Sequence, residues 1–358
     1  MRRRRFLKVA GAGAAGSVLL PGWVRGQEPD QDGVQLVILH TNDTHSRMDP
    51  FPMDGGPFQG LGGVARRTTV IERVRAEHPN VLLLDSGDIF QGTPYFNFFR
   101  GEVEFQAMSA MNYQVATLGN HDFDNGVDGL VEMMPHATFD FVSANYDVSG
   151  SPLEAHVRPW VIREVGGVRV GIFGLGVAFN GLVLASLHEG IRHTDPLAAA
   201  RRAVTELRAR GCSLVVCLSH LGYRYRDDLP SDTRLAQEVE GIDLILGGHS
   251  HTFMAEPDVY PQVGGSQTIV NQVGWGGMRL GRIDVVLGPQ DGSAPPNEAA
   301  HSPRAWDWGT YLVNAELDQG SKPVGSVECT AVPAPTPIPS GDRYHGSQGP
   351  PRPPASPR

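Results

Sequence analysis

Residues 115–124 read VATLGNHDFD. A β-branched apolar run breaks at Gly119 and is followed at once by an amide, an imidazole and two carboxylates, which is how a buried strand delivers polar side chains at its end. The same order recurs four more times. Residues 34–45 read VQLVILHTNDTH, 81–92 VLLLDSGDIFQG, 214–222 LVVCLSHLG and 243–252 DLILGGHSHT. Each apolar run has the length of a strand rather than a helix.

Between and after these runs the texture alternates. Further strands are expected at 139–144, 168–174, 268–273 and 282–287. Amphipathic stretches at 63–77, 102–111, 127–134, 196–210 and 232–239 read as helices; the fourth is opened by Pro196 and closed by Gly211. Strands alternating with helices define a layered α/β fold.

The chain has 358 residues, of which 40% are hydrophobic, so a sizeable core can form and disorder throughout is excluded. Its formal charge is −9. The first 26 residues carry six basic and no acidic side chains, so 24 basic and 39 acidic residues follow and the rest of the chain stands at −15. That balance argues against binding to duplex nucleic acid or to anionic lipid over a broad surface. Three cysteines make no disulfide framework. Cys212 and Cys217 fall in one apolar run and would face opposite sides of a strand, Cys329 lies in a tail, and all three read as free thiols.

Taken singly, the polar clusters have ordinary explanations. Asp43 and His45 are two apart and would share a side in extended chain, as ligands or as a simple hydrogen-bonded pair. His249 and His251 are ligands or part of a polar turn, and His220 is a ligand or a strand-end histidine. Together they point to one crevice fed from several strand ends, the usual place for a site in layered α/β folds. Carboxylate, imidazole and amide donors suit Mn²⁺, Zn²⁺, Fe²⁺ or Co²⁺, and the absence of cysteine from the set argues against a structural zinc cage.

The ordered strings ILHTNDTH, GGVARR, DSGDIFQGTPYFN, LGNHDFD, SHLG and GGHSHT resemble the calcineurin-like metallophosphoesterases, in particular their bacterial 5′-nucleotidase branch. The resemblance covers about residues 34–287. It implies a four-layer α/β/β/α sandwich, two mixed β-sheets flanked by helices, with a dinuclear metal site at the sheet edge. It also implies that Asp43, His45 and His251 hold one divalent ion, that Asn120, His220 and His249 hold the other, that Asp88 bridges them, and that His121 and Asp124 form a catalytic pair. The chemistry agrees: two close divalent ions clamp the oxygens of an in-line phosphoryl displacement and acidify water. If Asn120 binds metal, His121 must point elsewhere, toward the phosphoryl group, and Asp124 would raise its pKa. Asp122 reads as a loop-capping residue, with Asn125 and Gly126 finishing the turn. Aromatics at 95–99 could line the mouth of the site, with core packing the preferred reading for at least two of the four, and Arg66, Arg67 and Arg279, read as solvated arginines on amphipathic segments, are given no role.

Residues 2–8 read RRRRFLK and precede a weakly apolar stretch too short for a stable membrane span, which looks like a twin-arginine export signal over 1–26. A catalytic domain is expected at 27–290, an irregular extension at 291–320 and a disordered tail at 321–358, where residues 322–358 hold ten of the 28 prolines. The expected protein is therefore a periplasmic or otherwise exported phosphoesterase with two divalent ions (Mn, Zn, Fe or Co), acting on a small phosphoester, a nucleotide by resemblance. Its expected partners are the substrate and the export machinery. With 71 residues after Leu287, the nucleotide-recognition domain of two-domain relatives is not expected here. A 2′,3′-cyclic-nucleotide phosphodiesterase, a broad phosphatase and a noncatalytic periplasmic metal-binding scaffold remain as alternatives.

Overall fold

Along the first strand, Leu36 and Ile38 enter one hydrophobic core while Val37 and Leu39 enter another. The same split occurs in the next strand, where Leu82 and Leu84 part company with Leu83, and in the strand at 214–220, where Val215 and Cys217 part from Leu214, Val216 and Leu218. Alternate side chains of a strand point to opposite faces, so continuous apolar runs build cores on both sides at once.

The computed structural model describes residues 34–263, 266–287 and 303–314. In chain order its strands are β1 Val34–Thr41, β2 Val81–Asp85, β3 Val115–Thr117, β4 Asp140–Val142, β5 Tyr146–Asp147, β6 Val157–Arg158, β7 Trp160–Val165, β8 Val168–Gly176, β9 Arg192–His193, β10 Leu214–His220, β11 Leu244–Gly247, β12 Asp258–Pro261, β13 Gln267–Asn271, β14 Arg279–Leu287 and β15 Pro303–Leu312. The helices are α1 Val64–Glu77, α2 Pro94–Phe99, α3 Glu102–Ala110, α4 Gly126–Met133, α5 Pro196–Ala209 and α6 Asp232–Glu238.

Two mixed sheets result. One has the order β15-β14-β1-β2-β3-β4-β6 and the other β12-β13-β11-β10-β8-β7, with β5 and β9 forming a small separate pair. The core between the sheets draws on Leu36, Ile38 and Leu84 from the first and on Val170, Ile172, Val216 and Leu246 from the second. A second core lies between the first sheet and α1, α3 and α4, through Val70, Ile71, Phe105 and Leu130. A third lies between the second sheet and α5 and α6, through Ala200, Leu207 and Leu235. Three cores separate four layers, helix, sheet, sheet, helix. No described helix is long and apolar enough to cross a membrane.

The nine expected strands and five expected helices are all present, with bounds shifted by at most three residues. Three readings change. Residues 291–320, expected to be irregular, contain β15, which pairs antiparallel with β14. Val313 just beyond it is fully buried, so the packed unit runs past the boundary expected at 290. The physical reason is that β14 would otherwise present an open edge, and a run containing Trp306, Trp308 and Tyr311 between Gly/Pro-rich flanks can cover it. Cys212 and Cys217 are free, but both enter the same core, because Cys212 precedes β10 and escapes its alternation. The aromatics at 95–99 form the short helix α2 and contribute only Phe96 to the core; Phe98 and Phe99 are exposed. The segments expected as an export signal at 1–26 and a tail at 321–358, with residues 288–302 and Cys329, lie outside the described residues.

Candidate metal centre

The carboxyl ends of β1, β2 and β3, mutually parallel, and of β10 and β11, also parallel, meet at one edge of the sandwich. There the two sheets are tied by hydrogen bonds. Ser86 Oγ donates to the Leu246 carbonyl at 2.7 Å, Asn42 Nδ2 donates to the Gly274 carbonyl at 2.5 Å, and the His249 amide donates to both Asp43 oxygens at 3.0 Å.

Two groups of side chains gather at this edge, each with its potential ligand atoms within 4.8 Å of one another: Asp43, His45 and His251, and Asp88, His220 and His249. The groups adjoin. Asp88 Oδ2 lies 3.1 Å from His220 Nε2 and 3.9 Å from His45 Nε2, and Asp43 Oδ1 lies 3.3 Å from His251 Nε2 and 3.9 Å from His220 Nε2. Asn120 joins them from the end of β3. Its Oδ1 is buried without a hydrogen-bond partner, and the next amide, of His121, donates to Asp88 Oδ1 at 2.8 Å. His121 Nδ1 faces Asp124 Oδ2 at 2.9 Å, and the His121 ring lies edge-on to His45 at 5.4 Å.

The donor set fits a cation. His220 Nδ1 is engaged by the Ser86 carbonyl at 2.7 Å and His45 Nδ1 by the Phe90 carbonyl at 3.2 Å, so in both rings the Nδ1–H is spent on the backbone and Nε2 is the atom turned toward the carboxylates, where a cation can take the place of a proton. His220 Nε2 is fully buried and lacks any well-aligned hydrogen bond, as does Asn120 Oδ1. Buried ligand atoms without aligned partners, converging beside two carboxylates, are costly unless a proton or a metal cation joins them.

Electrostatics follow from this crowding. Burial opposes charge on His220, but Asp88 and Asp43 outweigh it and carry its pKa up to about 10. Burial likewise opposes charge on Asp88, and the nearby His220 and His45 pull it far below the usual carboxylate range. His249, buried and beside His220, is pushed down to about 4, and burial also lowers His45. Burial lowers His121 too, but the Asp124 hydrogen bond and the charges of Asp88, Asp124 and Asp122 reverse the sign, and its pKa is raised.

The backbone carries strain at the same place. Asp43, His45, Asp88, His249 and His251 all have positive φ, between 49° and 70°. Such conformations cost free energy in non-glycine residues and persist where surrounding structure enforces them. Close approach explains two of the glycines: a Cβ on Gly119 would lie 2.2 Å from Asp88 Oδ1, and one on Gly248 2.9 Å from both His220 Nδ1 and the Ser86 carbonyl.

Two contributors were not singled out correctly from sequence. Asp122, read as a loop cap, is fully buried and accepts from four amides, those of Asp88, Ile89, Phe90 and Gly119, at 2.8–3.1 Å. It therefore holds the Asp88 loop against the GNHD loop. Burial and the Asp88 charge raise its pKa to about 7 against the pull of those donors. Trp275 stacks on His251 at 5.6 Å; a lone tryptophan after a glycine carries no spacing signal that would have found it.

A sandwich of two mixed sheets with clustered aspartate, histidine and asparagine at the ends of parallel strands defines a metallophosphoesterase class of site. Residues 36–253 match the family model for calcineurin-like phosphoesterases, and the chain belongs to that family. It is 37% identical over 227 residues to a snake venom 5′-nucleotidase from Crotalus adamanteus, a stretch that is 62% of this chain and 37% of that protein. It is 36% identical over 229 residues to the 5′-nucleotidase of Homo sapiens, over 62% of this chain and 38% of the relative. The crystal structure of a 5′-nucleotidase precursor from Thermus thermophilus superposes with a TM-score of 0.68 at 33% identity, covering 79% of this chain and 55% of that one. The matched region thus spans well under two thirds of these relatives.

Proposed function

We propose that this chain is an exported dinuclear-metal hydrolase of phosphate monoesters, acting on nucleotides in the manner of a 5′-nucleotidase. The observation that carries the reading is the position of Asp88, whose carboxylate approaches a histidine of each group, 3.1 Å from His220 and 3.9 Å from His45. One carboxylate within reach of both groups is what a bridged pair of cations requires. The similarity to 5′-nucleotidases supports the nucleotide substrate class.

In this reading Asp43, His45 and His251 hold one divalent ion, Asn120, His220 and His249 the other, and Asp88 is shared. Such a pair of ions, when bound, polarises phosphoryl oxygens and lowers the pKa of water. The Ser86 and Phe90 carbonyls orient His220 and His45, and the amides around Asp122 keep Asp88 in place. With Nδ1 held by Asp124, His121 has Nε2 left to face substrate, and its raised pKa keeps a proton there to stabilise or protonate the leaving oxygen. The basic stretch RRRRFLK, followed by a short weakly apolar run, supports export through a twin-arginine route and a periplasmic location.

The test is phosphate release from nucleoside 5′-monophosphates by the purified chain with added Mn²⁺, beside panels of cyclic nucleotides and simple phosphomonoesters. Activity on the monophosphates that is abolished by chelation and by Asp88→Asn is expected. Metal uptake without turnover of any phosphoester would replace the reading with a scaffold, and preferential opening of 2′,3′-cyclic nucleotides would replace it with a phosphodiesterase.

A further inference from the structure

Arg67 of α1, Glu104 of α3 and Ser46 of the loop after β1 take no part in the chemistry above, yet all three are buried, with 3%, 3% and 1% exposure. The arginine, expected from sequence to be solvated, is not. Arg67 Nε and Nη1, both carboxylate oxygens of Glu104 and Ser46 Oγ make no well-formed hydrogen bond within the protein, although Ser46 sits close enough to Glu104 to oppose the rise in its pKa that burial causes. These five atoms belong to side chains that line a single small cavity of about 10 Å³, walled also by Thr44 and Ile89. The Arg67 charge is felt by Asp85 and Tyr113, but its Nε and Nη1 and the Glu104 oxygens still lack aligned partners, and buried polar groups left so are costly. A void of this size has just the room for one water molecule, and the lining offers it more than the two polar partners it needs.

We propose that this cavity is a built site for one water molecule, which accepts from the Arg67 guanidinium and donates to the Glu104 carboxylate, beside Ser46. Its place behind the metal centre gives it a consequence. The cavity wall is the seam between the loops that carry His45 and Asp88: the His45 amide donates to the Asp88 carbonyl at 3.1 Å and the Ser46 amide to the Ile89 carbonyl at 2.8 Å. Thr93 Oγ1 closes the seam on the Ser46 carbonyl at 2.7 Å. The bridged water ties α1 and α3 to that seam, so Arg67 and Glu104 are positioning residues for His45 and Asp88. The water site stands on geometry alone; its effect on metal binding rests on the proposed metal centre.

Three measurements on the full chain test this. An atomic-resolution crystal structure is expected to show one ordered solvent peak within hydrogen-bond distance of Glu104 and Arg67; direct contact between the two side chains with no solvent between them would overturn the site. Arg67→Met and Glu104→Met are each expected to lower Tm by about 10 °C, because each strands a buried charge, and the double variant to recover much of the loss. Strictly additive losses would overturn the coupling. In calorimetric titration, Glu104→Met is expected to weaken Mn²⁺ binding about tenfold, while Glu104→Gln, which still bonds the water, stays within about threefold of the parent. Equal Mn²⁺ affinity in all three proteins would overturn the positioning role, whereas a parent chain that binds no Mn²⁺ would count against the metal centre and leave the solvent peak to decide the water site.

Discussion

His45 Nε2 and His251 Nε2 face each other at 3.0 Å. Because His45 gives its Nδ1 hydrogen to the Phe90 carbonyl, its Nε2 is a bare lone pair, and the two rings are compatible only if His251 donates or a cation accepts from both. A divalent ion relieves the contact by replacing a forced hydrogen bond with two ligand bonds. The metal-free chain is therefore expected to gain stability on Mn²⁺ addition, by about 2.7 kcal/mol at a hundredfold excess over Kd, seen as a rise in Tm of several degrees. His251→Ala is expected to lose most of that rise. A Tm indifferent to every divalent ion would remove the basis for this centre.

The pairing of Asp124 with His121 at 2.9 Å carries a separate expectation. Asp124→Asn removes an anion that raises the His121 pKa, so the fraction of protonated imidazole falls at a lower pH than in the parent. The turnover number is expected to drop about a hundredfold, with the alkaline limb of the pH–rate profile displaced toward acid and the metal content unchanged. An unmoved alkaline limb would show that His121 does not act as an acid.

Asp122 concentrates four amide hydrogen bonds on one carboxylate. Asp122→Ala leaves those donors buried and unpaired, at a cost of roughly 3–5 kcal/mol. Amide exchange at Ile89 and Phe90 is expected to accelerate before any other part of the sandwich opens, and divalent-ion affinity to fall with it. Protection at those two amides equal to the parent would mean that the loop is held by something else.

His40 reports on acid stability. Its ring is fully buried against Gly281 in the paired strand, and burial lowers its pKa from 6.5 to about 3. Between those values the unfolded chain binds one more proton than the folded one, so stability from this group falls as pH drops below 6.5, by about 1.4 kcal/mol per unit. Asp85 and Asp232 work in the opposite sense. Burial raises them to about 7 and about 8, so their folded forms keep a proton and their contribution falls as pH rises from the ordinary carboxylate range. The contrast is isolated by comparing urea midpoints of the parent and His40→Asn at pH 4.5 and 6.5, with the expectation that the variant loses less stability on acidification.

The framework was legible because its core strands are buried on both faces. Runs such as VILH and LVVCLS declare strand without help from neighbours, and each ends in the polar residues that reach the site. Elements whose stability is tertiary were not legible: β15 exists because β14 offers it an edge, and β6 and β9 are two residues long. The candidate ligands could be named from residue type and order, but the left-handed φ of five of them, the four amides on Asp122 and the burial of Arg67 depend on loops folding against one another. Amphipathic spacing alone gave Arg67 a solvent-facing place, and the folding of the loops and α3 over that side of α1 buried it.

Anomalous diffraction from crystals of catalytically active, manganese-loaded protein addresses the centre most directly. Two peaks are expected on either side of Asp88, one against Asp43, His45 and His251 and the other against Asn120, His220 and His249. Active protein with one peak, or with none at this edge of the sandwich, would contradict the account.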